Sequence, residues 1–512
     1  MAFSHTEISH EPPAPTGVVE SFRYAFSSPT RLRKEVLAGL TVALALIPEA
    51  IAFSILAGVD PALGLFASVV MAITIAFTGG RPAMISAATG AVALVIAPVA
   101  REYGLDYFIA TVLLAGVLQI VLAVLGVAKL QRFIPRSVMT GFVNALGILI
   151  FTAQLEHLID VPKVVYVLVA AGIAIMIGWP KITGAIPAPL ITIVIISAVV
   201  GLTGMNVPTV SDMGELPESL PRLFVPDVPL TLETLQIIAP YSLAMAIVGL
   251  LESLMTAKLV DDITDTHSDK TRESWGQGVA NIASGLFGGM GGCAMIGQTM
   301  INVKESGART RLSTLLAGVF LLILILVLGD VVGMIPMAAL VAIMIMVSVG
   351  TIDWHSVHPR TLKFMPLSET VVMLVTVVAT LATSNLAVGV VLGVLTAMIT
   401  FARRVAHLAS VEQVSAEDTT NDGLIDTRTY RIHGQLFWAS SNDLVYAFDY
   451  TDPADNIVLD LSAAEVWDAS TVATLDSVTR KFEERGKTVT IVGLAGPSKD
   501  RLDRLSGKLN SQ

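Results

Sequence analysis

Eleven apolar runs of spanning or near-spanning length decide what solvent this chain folds in. They lie at about 35–57, 61–78, 105–128, 133–155, 163–180, 187–204, 238–260, 310–329, 336–352, 367–384 and 385–407. Runs of about 18 apolar residues or more read as helices crossing lipid, where backbone groups find no partner outside their own segment. Three further stretches, 86–100, 276–290 and 293–303, are short or glycine-broken, and counting them gives fourteen helical segments. Only 14% of the 512 residues are charged against 54% hydrophobic, more apolar surface than a soluble core needs. The chain is expected to be an integral membrane protein.

The basic residues test the count, because Lys and Arg gather in cytoplasmic loops. With the N-terminus inside, the cytoplasmic segments hold eighteen of them, among them Arg33, Arg81, Arg136, Arg309 and Arg403, while the outer loops hold only Arg101, Lys163 and Arg222. A miscount by one helix would scramble this separation, so both termini are expected in the cytoplasm of a bacterial inner membrane. Residues 1–22 lack the apolar core of a signal peptide. Cys293, the only cysteine, excludes an intramolecular disulfide and a CxxC metal site and reads as a small packing residue beside Gly291 and Gly292.

Two halves of the chain match. Phe77-Thr78-Gly79-Gly80 returns as Phe287-Gly288-Gly289, Ala83-Met84-Ile85 as Ala294-Met295-Ile296, and Ile134-Pro135 as Ile335-Pro336, at offsets of 201 to 211 residues. Glu49 and Glu252, lone acids inside apolar segments, are 203 apart and belong to the same series. The common offset describes one repeat of seven segments. An odd number inserts the second copy upside down, the inverted-repeat plan of secondary transporters whose substrate site lies between discontinuous helices.

The short third and tenth segments are the expected half-helices, starting near Ala88-Thr89-Gly90 and Ile296-Gly297-Gln298 and facing each other. Helix N-termini carry unpaired N–H groups and about half a positive charge, so the two together favour an anion without lysine or arginine. Gly90 and Gly297 allow close backbone approach, and Gln298, Thr89 and Thr299 add donors. A carboxyl at membrane depth costs about 2.5–3.5 kcal/mol on insertion scales and persists mainly for function. Glu49, repelling an anion when ionised, would couple substrate to a proton. Glu252, with Thr256 one turn on, could hold a proton or Na⁺, and the sequence does not separate these.

These residues resemble the SulP family of anion transporters from about Arg33 onward. The resemblance rests on Ala38-Gly39-Leu40-Thr41, Ile47-Pro48-Glu49, Ile134-Pro135-Arg136-Ser137-Val138 with Gly141-Phe142, Glu252-Ser253-Leu254, Gln277-Gly278-Val279-Ala280-Asn281 and Gly307-Ala308-Arg309-Thr310. It implies a core of segments 1–4 and 8–11 and a gate of 5–7 and 12–14, a UraA-like 7+7 architecture working by alternating access. It also implies pocket roles for Glu49 and Phe53 and a cation or proton role for Glu252. Gln298 stands where many members carry arginine, which removes a fixed positive charge.

From Arg428 the pattern turns to strands, Thr429–Ile432, Asn456–Asp460 and Thr488–Val492, around a helix from Val472 to Arg485. Asp460-Leu461-Ser462 and Asp468-Ala469-Ser470 resemble a STAS domain, which implies dimerisation or cytoplasmic protein contact. Ser470 reads as a helix cap, with regulation by phosphorylation the sharper alternative. The expected divisions are a cytoplasmic segment 1–33, a transporter domain 34–408, a linker 409–427 and the STAS domain 428–512. The tail from Glu412 holds 17 acidic and 10 basic residues, which argues against nucleic acid.

The expected function is proton-coupled symport of a dicarboxylate such as fumarate, with no enzymatic activity, metal or cofactor beyond the coupling ion. A Na⁺-coupled bicarbonate or sulfate importer and a membrane anion receptor signalling through the STAS domain remain open. The partners expected are a small anion, membrane lipid and, through the tail, a second copy or another protein.

Overall fold

The computed structural model describes residues 15–127, 129, 134–182, 187–214, 220–406, 409–417, 426–441 and 444–508. Contacts divide the chain into two compact units, one ending at Val394 and the other beginning at Leu395. The division falls inside a helix, upstream of the expected boundary at 408.

The first unit is helical: α1 (Val18–Ala25), α2 (Pro29–Ala57), α3 (Pro61–Thr78), α4 (Gly90–Tyr103), α5 (Leu105–Val124), α6 (Arg136–Glu156), α7 (Lys163–Ile182) and α8 (Ala188–Thr203) form its first half. The second half has α9 (Leu232–Thr264), α10 (Lys270–Leu286), α11 (Ile296–Met300), α12 (Arg311–Gly333), α13 (Met337–Thr351), the short α14 (Pro359–Phe364), α15 (Leu367–Thr383) and α16 (Leu386–Ala406). Among the described residues, seven of these helices are long and apolar enough to cross a membrane; α8, α13 and α15 are apolar and shorter, and α12 is apolar over Arg311–Val327. With α4, α10 and α11, the fourteen expected segments are all present.

The packing carries the two-fold relation that the repeat implies. Contacts of α2 and α3 with α12 are matched by those of α9 and α10 with α5, and α6 against α15 is matched by α13 against α7. At the centre two short strands, β1 (Ser86–Ala87) and β2 (Cys293–Ala294), pair antiparallel with Ser86 opposite Ala294 and Ala87 opposite Cys293. Exchanging the repeats leaves that pairing unchanged. Gly116 and Gly278 let α5 and α10 meet backbone to backbone: a Cβ on either would come within 2.7 Å of the other's carbonyl oxygen.

The second unit, after the end of α16, is a four-stranded sheet in the order β3 (Ser410–Glu417), β4 (Thr427–Leu436), β5 (Asn456–Val466), β6 (Thr488–Val492). β3 runs antiparallel to β4, and the other pairs are parallel. The helix α18 (Ala469–Glu483), which follows a single-turn α17 (Trp438–Ser441), places Val472, Leu475, Val478 and Phe482 on Tyr430, Ile432, Leu459 and Leu461. A last helix, α19 (Gly496–Leu505), follows β6. Two expectations are corrected. The segment 409–427 is not simply a linker, since 410–417 is a strand of the sheet. Asp468, not Ser470, caps α18: its carboxylate accepts from the Thr471 amide and hydroxyl, both at 2.9 Å, leaving Ser470 exposed.

Candidate functional site

Where the half-helices α4 and α11 begin, a cavity of about 380 Å³ opens between α2, α4, α6, α9, α11 and α13. Its lining brings together Glu49, Phe53, Thr89, Gly90, Glu252, Ile296 and Gly297, all expected from the sequence. Thr89 caps α4 through the Val92 amide at 3.4 Å, and the start of α11 at Met295 has no side-chain cap. Pro48, directly before Glu49, removes one amide from the interior of α2.

Four expected residues stand behind the wall. The Ala88 amide is taken by the Ser68 hydroxyl at 3.3 Å, and the Thr299 hydroxyl accepts from the Ile85 amide at 3.0 Å. Gln298 is 1% exposed, and its side-chain carbonyl oxygen has no partner among the described residues. The Thr256 hydroxyl donates to the carbonyl of Glu252 at 2.8 Å, a bond within its own helix that takes its only proton. The oxygen keeps its lone pairs and can still act as an acceptor.

Glu252 is held from another side. The Cys293 thiol, completely buried, donates to its Oε2 at 2.9 Å and lies 3.1 Å from the Thr89 hydroxyl. The strand carrying Cys293 is fixed in turn: Asn281 accepts from the Gly292 amide at 2.8 Å and donates to the Gln119 side chain at 2.9 Å, and Ser253 takes the Ala294 amide at 3.1 Å. The far wall was not expected. Phe142, Val143, Leu146 and Ile150 of α6 and Val347, Gly350 and Thr351 of α13 close it. Gly141-Phe142 was visible as a motif, but nothing in it told a cavity-facing residue from a lipid-facing one.

A cavity between paired inverted repeats, with one carboxyl from each repeat and, among the described residues, no basic side chain in its lining, defines a secondary-transporter architecture. The chain belongs to the Sulfate permease family, which it matches over residues 32–171 and 164–376, and it carries a STAS domain at 415–507. It is a multi-pass membrane anion transporter of that family. It is 50% identical to "Putative sulfate transporter YbaR" of Bacillus subtilis (strain 168), covering 93% of this chain and 97% of that one. Bicarbonate transporter BicA of Picosynechococcus sp. is 26% identical over 93% of this chain and 91% of its own length. The transmembrane domain of a cyanobacterial BicA superposes with a TM-score of 0.62 at 26% identity, over 72% of this chain and 98% of that one. Murine Slc26a9 shares the fold, with a TM-score of 0.80 at 16% identity over 96% and 90% of the two chains.

Proposed function

We propose that the chain imports a small dicarboxylate of the fumarate class together with protons, by alternating access of a core and a gate around the cavity. One observation carries the reading: Glu49 and Glu252 line the same cavity, and among the described residues no lysine, arginine or histidine lines it with them. A dianion entering beside two ionised carboxylates would meet like charges with only the partial positive charge of the two helix starts to offset them. Protonation of these carboxyls admits it. Import against a negative interior is opposed by about 2.3 kcal/mol per charge per 100 mV, so a dianion needs co-transported cations in any case. The wall of Phe53, Phe142, Leu146 and Ile150 suits a substrate with a carbon chain between two charged ends, the helix starts at Gly90 and Ile296 taking the carboxylates. In this reading the membrane is the bacterial inner membrane, and both termini are cytoplasmic.

A second reading is Na⁺-driven import of bicarbonate or sulfate, favoured by the names of the relatives BicA and YbaR. Radiolabelled fumarate uptake into liposomes holding the purified protein separates the two. Uptake only with an acidic exterior, competed by succinate and not by sulfate, supports proton-coupled dicarboxylate import. Uptake of bicarbonate or sulfate that follows a Na⁺ gradient and ignores pH overturns it.

A further inference from the structure

The connection from α8 to α9 ends in a strap, residues 220–231, that is tied to two helices at one surface of the membrane. The Phe224 amide donates to the Leu286 carbonyl at the end of α10 at 2.7 Å, and the Asp227 amide donates to Asp106 Oδ1 at the start of α5 at 3.0 Å. Those two bonds set the height of the strap on α5 and α10. Beneath it lies another cavity, of about 270 Å³, against the first two turns of α3 and α5, and it shares no lining residue with the cavity of Glu49 and Glu252. Leu63 and Ile109 form its buried floor, and Leu105, Leu223 and Phe287 stand exposed at its mouth. Among the described residues its lining holds no acid, and the exposed Arg222 is its single cation.

We propose that this cleft is a binding site for one anionic phospholipid, an acyl chain lying on Leu63, Leu105, Ile109 and Phe287 and the phosphate pairing with Arg222. The depth fits. α3 and α5 begin and α10 ends here, so the floor lies about one turn inside the hydrocarbon and the rim at the level of the headgroups. An arginine at that level lays its stem along apolar surface and keeps its guanidinium among the phosphates, whose oxygens match its fork of donors. The strap adds Leu220, Val225 and Leu230, all exposed, an apolar surface that suits lipid and not water. A free phosphate would find one exposed arginine and no second cation, so the chain must supply the rest of the affinity. With no acid in the lining, nothing receives the amine of a zwitterionic headgroup, which favours a lipid of net negative charge. In the topology proposed above this is the outer leaflet.

The test is a titration of the delipidated full chain in detergent with dioleoylphosphatidylglycerol, followed by native mass spectrometry and by hydrogen exchange of peptides covering 220–231. One lipid should bind saturably, and exchange of the Phe224 and Asp227 amides should slow about threefold as the strap is held down. Arg222→Gln, a change at an exposed position, should weaken that binding about tenfold, the worth of one charge-assisted pair with phosphate. Leu105→Trp, which fills the mouth and leaves the arginine, should weaken it as much. Dioleoylphosphatidylethanolamine should bind several-fold more weakly than the glycerol lipid, and inorganic phosphate should neither displace the lipid nor protect the strap. Protection by inorganic phosphate alone would make Arg222 a simple anion site and overturn the lipid reading. Lipid binding that is unchanged in both variants would place the lipid elsewhere. A dimer that forms without bound lipid and is lost in Leu105→Trp would give the cleft to a second copy instead. Should Leu105→Trp not fold, Arg222→Gln decides alone: unchanged binding and protection there sink the proposal.

Discussion

Glu49 and Glu252 hold the same place in two related repeats and look into one cavity, yet their surroundings differ. Glu49 follows a proline in α2 and shares the wall with Phe53 and, from the opposite repeat, Ile296 and Gly297. Glu252 lies on α9 and is held by the thiol of Cys293 from its own repeat, on a strand braced by Asn281 and Ser253. The backbone obeys the two-fold relation and the chemistry does not. An inverted repeat can therefore supply two carboxyls to one cavity and still give them different surroundings, one beside Pro48 and Phe53 and one beside the strand pair β1–β2 at the centre.

The hardest blow to that comparison is Glu49→Gln. It should abolish proton-driven uptake while leaving the protein folded by size-exclusion chromatography. Unchanged dependence on external pH would mean that Glu252 does the coupling alone. Gln298→Arg comes next. A guanidinium placed against Glu49 forms a charge-assisted pair, and binding of small anions should strengthen by about tenfold with weaker dependence on pH. Affinity that stays the same for every anion tried would remove the start of α11 from the substrate's surroundings.

The two half-helix starts give a smaller contrast. A Cβ at Gly90 would lie 2.8 Å from Phe53 Cε1 and 3.2 Å from Ile150 Cδ1, whereas at Gly297 nothing lies within 4 Å. Gly90→Ala should therefore push Phe53 into the cavity and raise the KM about three- to tenfold, and Gly297→Ala should change it by less than about twofold. Equal effects would show that the two ends contribute in the same way.

How much of this could be read in advance follows from what hydropathy records. The fourteen segments and the starts of α4 and α11 were legible because helix length, turn glycines and the positive-inside bias are properties of the chain alone. The wall from α6 and α13 was not. Phe142 and Phe151 lie on one helix in the same kind of apolar sequence, but the first is 1% exposed at the cavity and the second 38% exposed on the outside. Strand β3 escaped because its polar, charged sequence and the register shift between Gln413 and Ser415 hide the alternation. Thr256 was placed correctly one turn from Glu252, yet spacing says nothing of where a hydroxyl sends its proton. The thiol on Glu252 was invisible because 41 residues separate the partners.

The smallest expected effect lies in the STAS unit, where a carboxylate sits among donors instead of in an apolar cavity. Asp460, beside Ser462, accepts from its amide at 3.0 Å and from Arg431 at 2.9 Å, surroundings that pull its pKa from 3.8 down to about 2. A folded-state pKa below the unfolded one stabilises the domain at any pH above about 4, and that contribution disappears as pH falls toward 2. Asp460 is 14% and Arg431 40% exposed, so the pair contributes about 1 kcal/mol at most after solvent screening. Hydrogen-exchange protection of the β5 amides, measured on the whole protein in detergent, should fall between pH 4 and 2. In Asp460→Asn it should already be lower at neutral pH and flatter in acid. A variant with wild-type protection and the same acid slope would assign the acid response to groups other than Asp460.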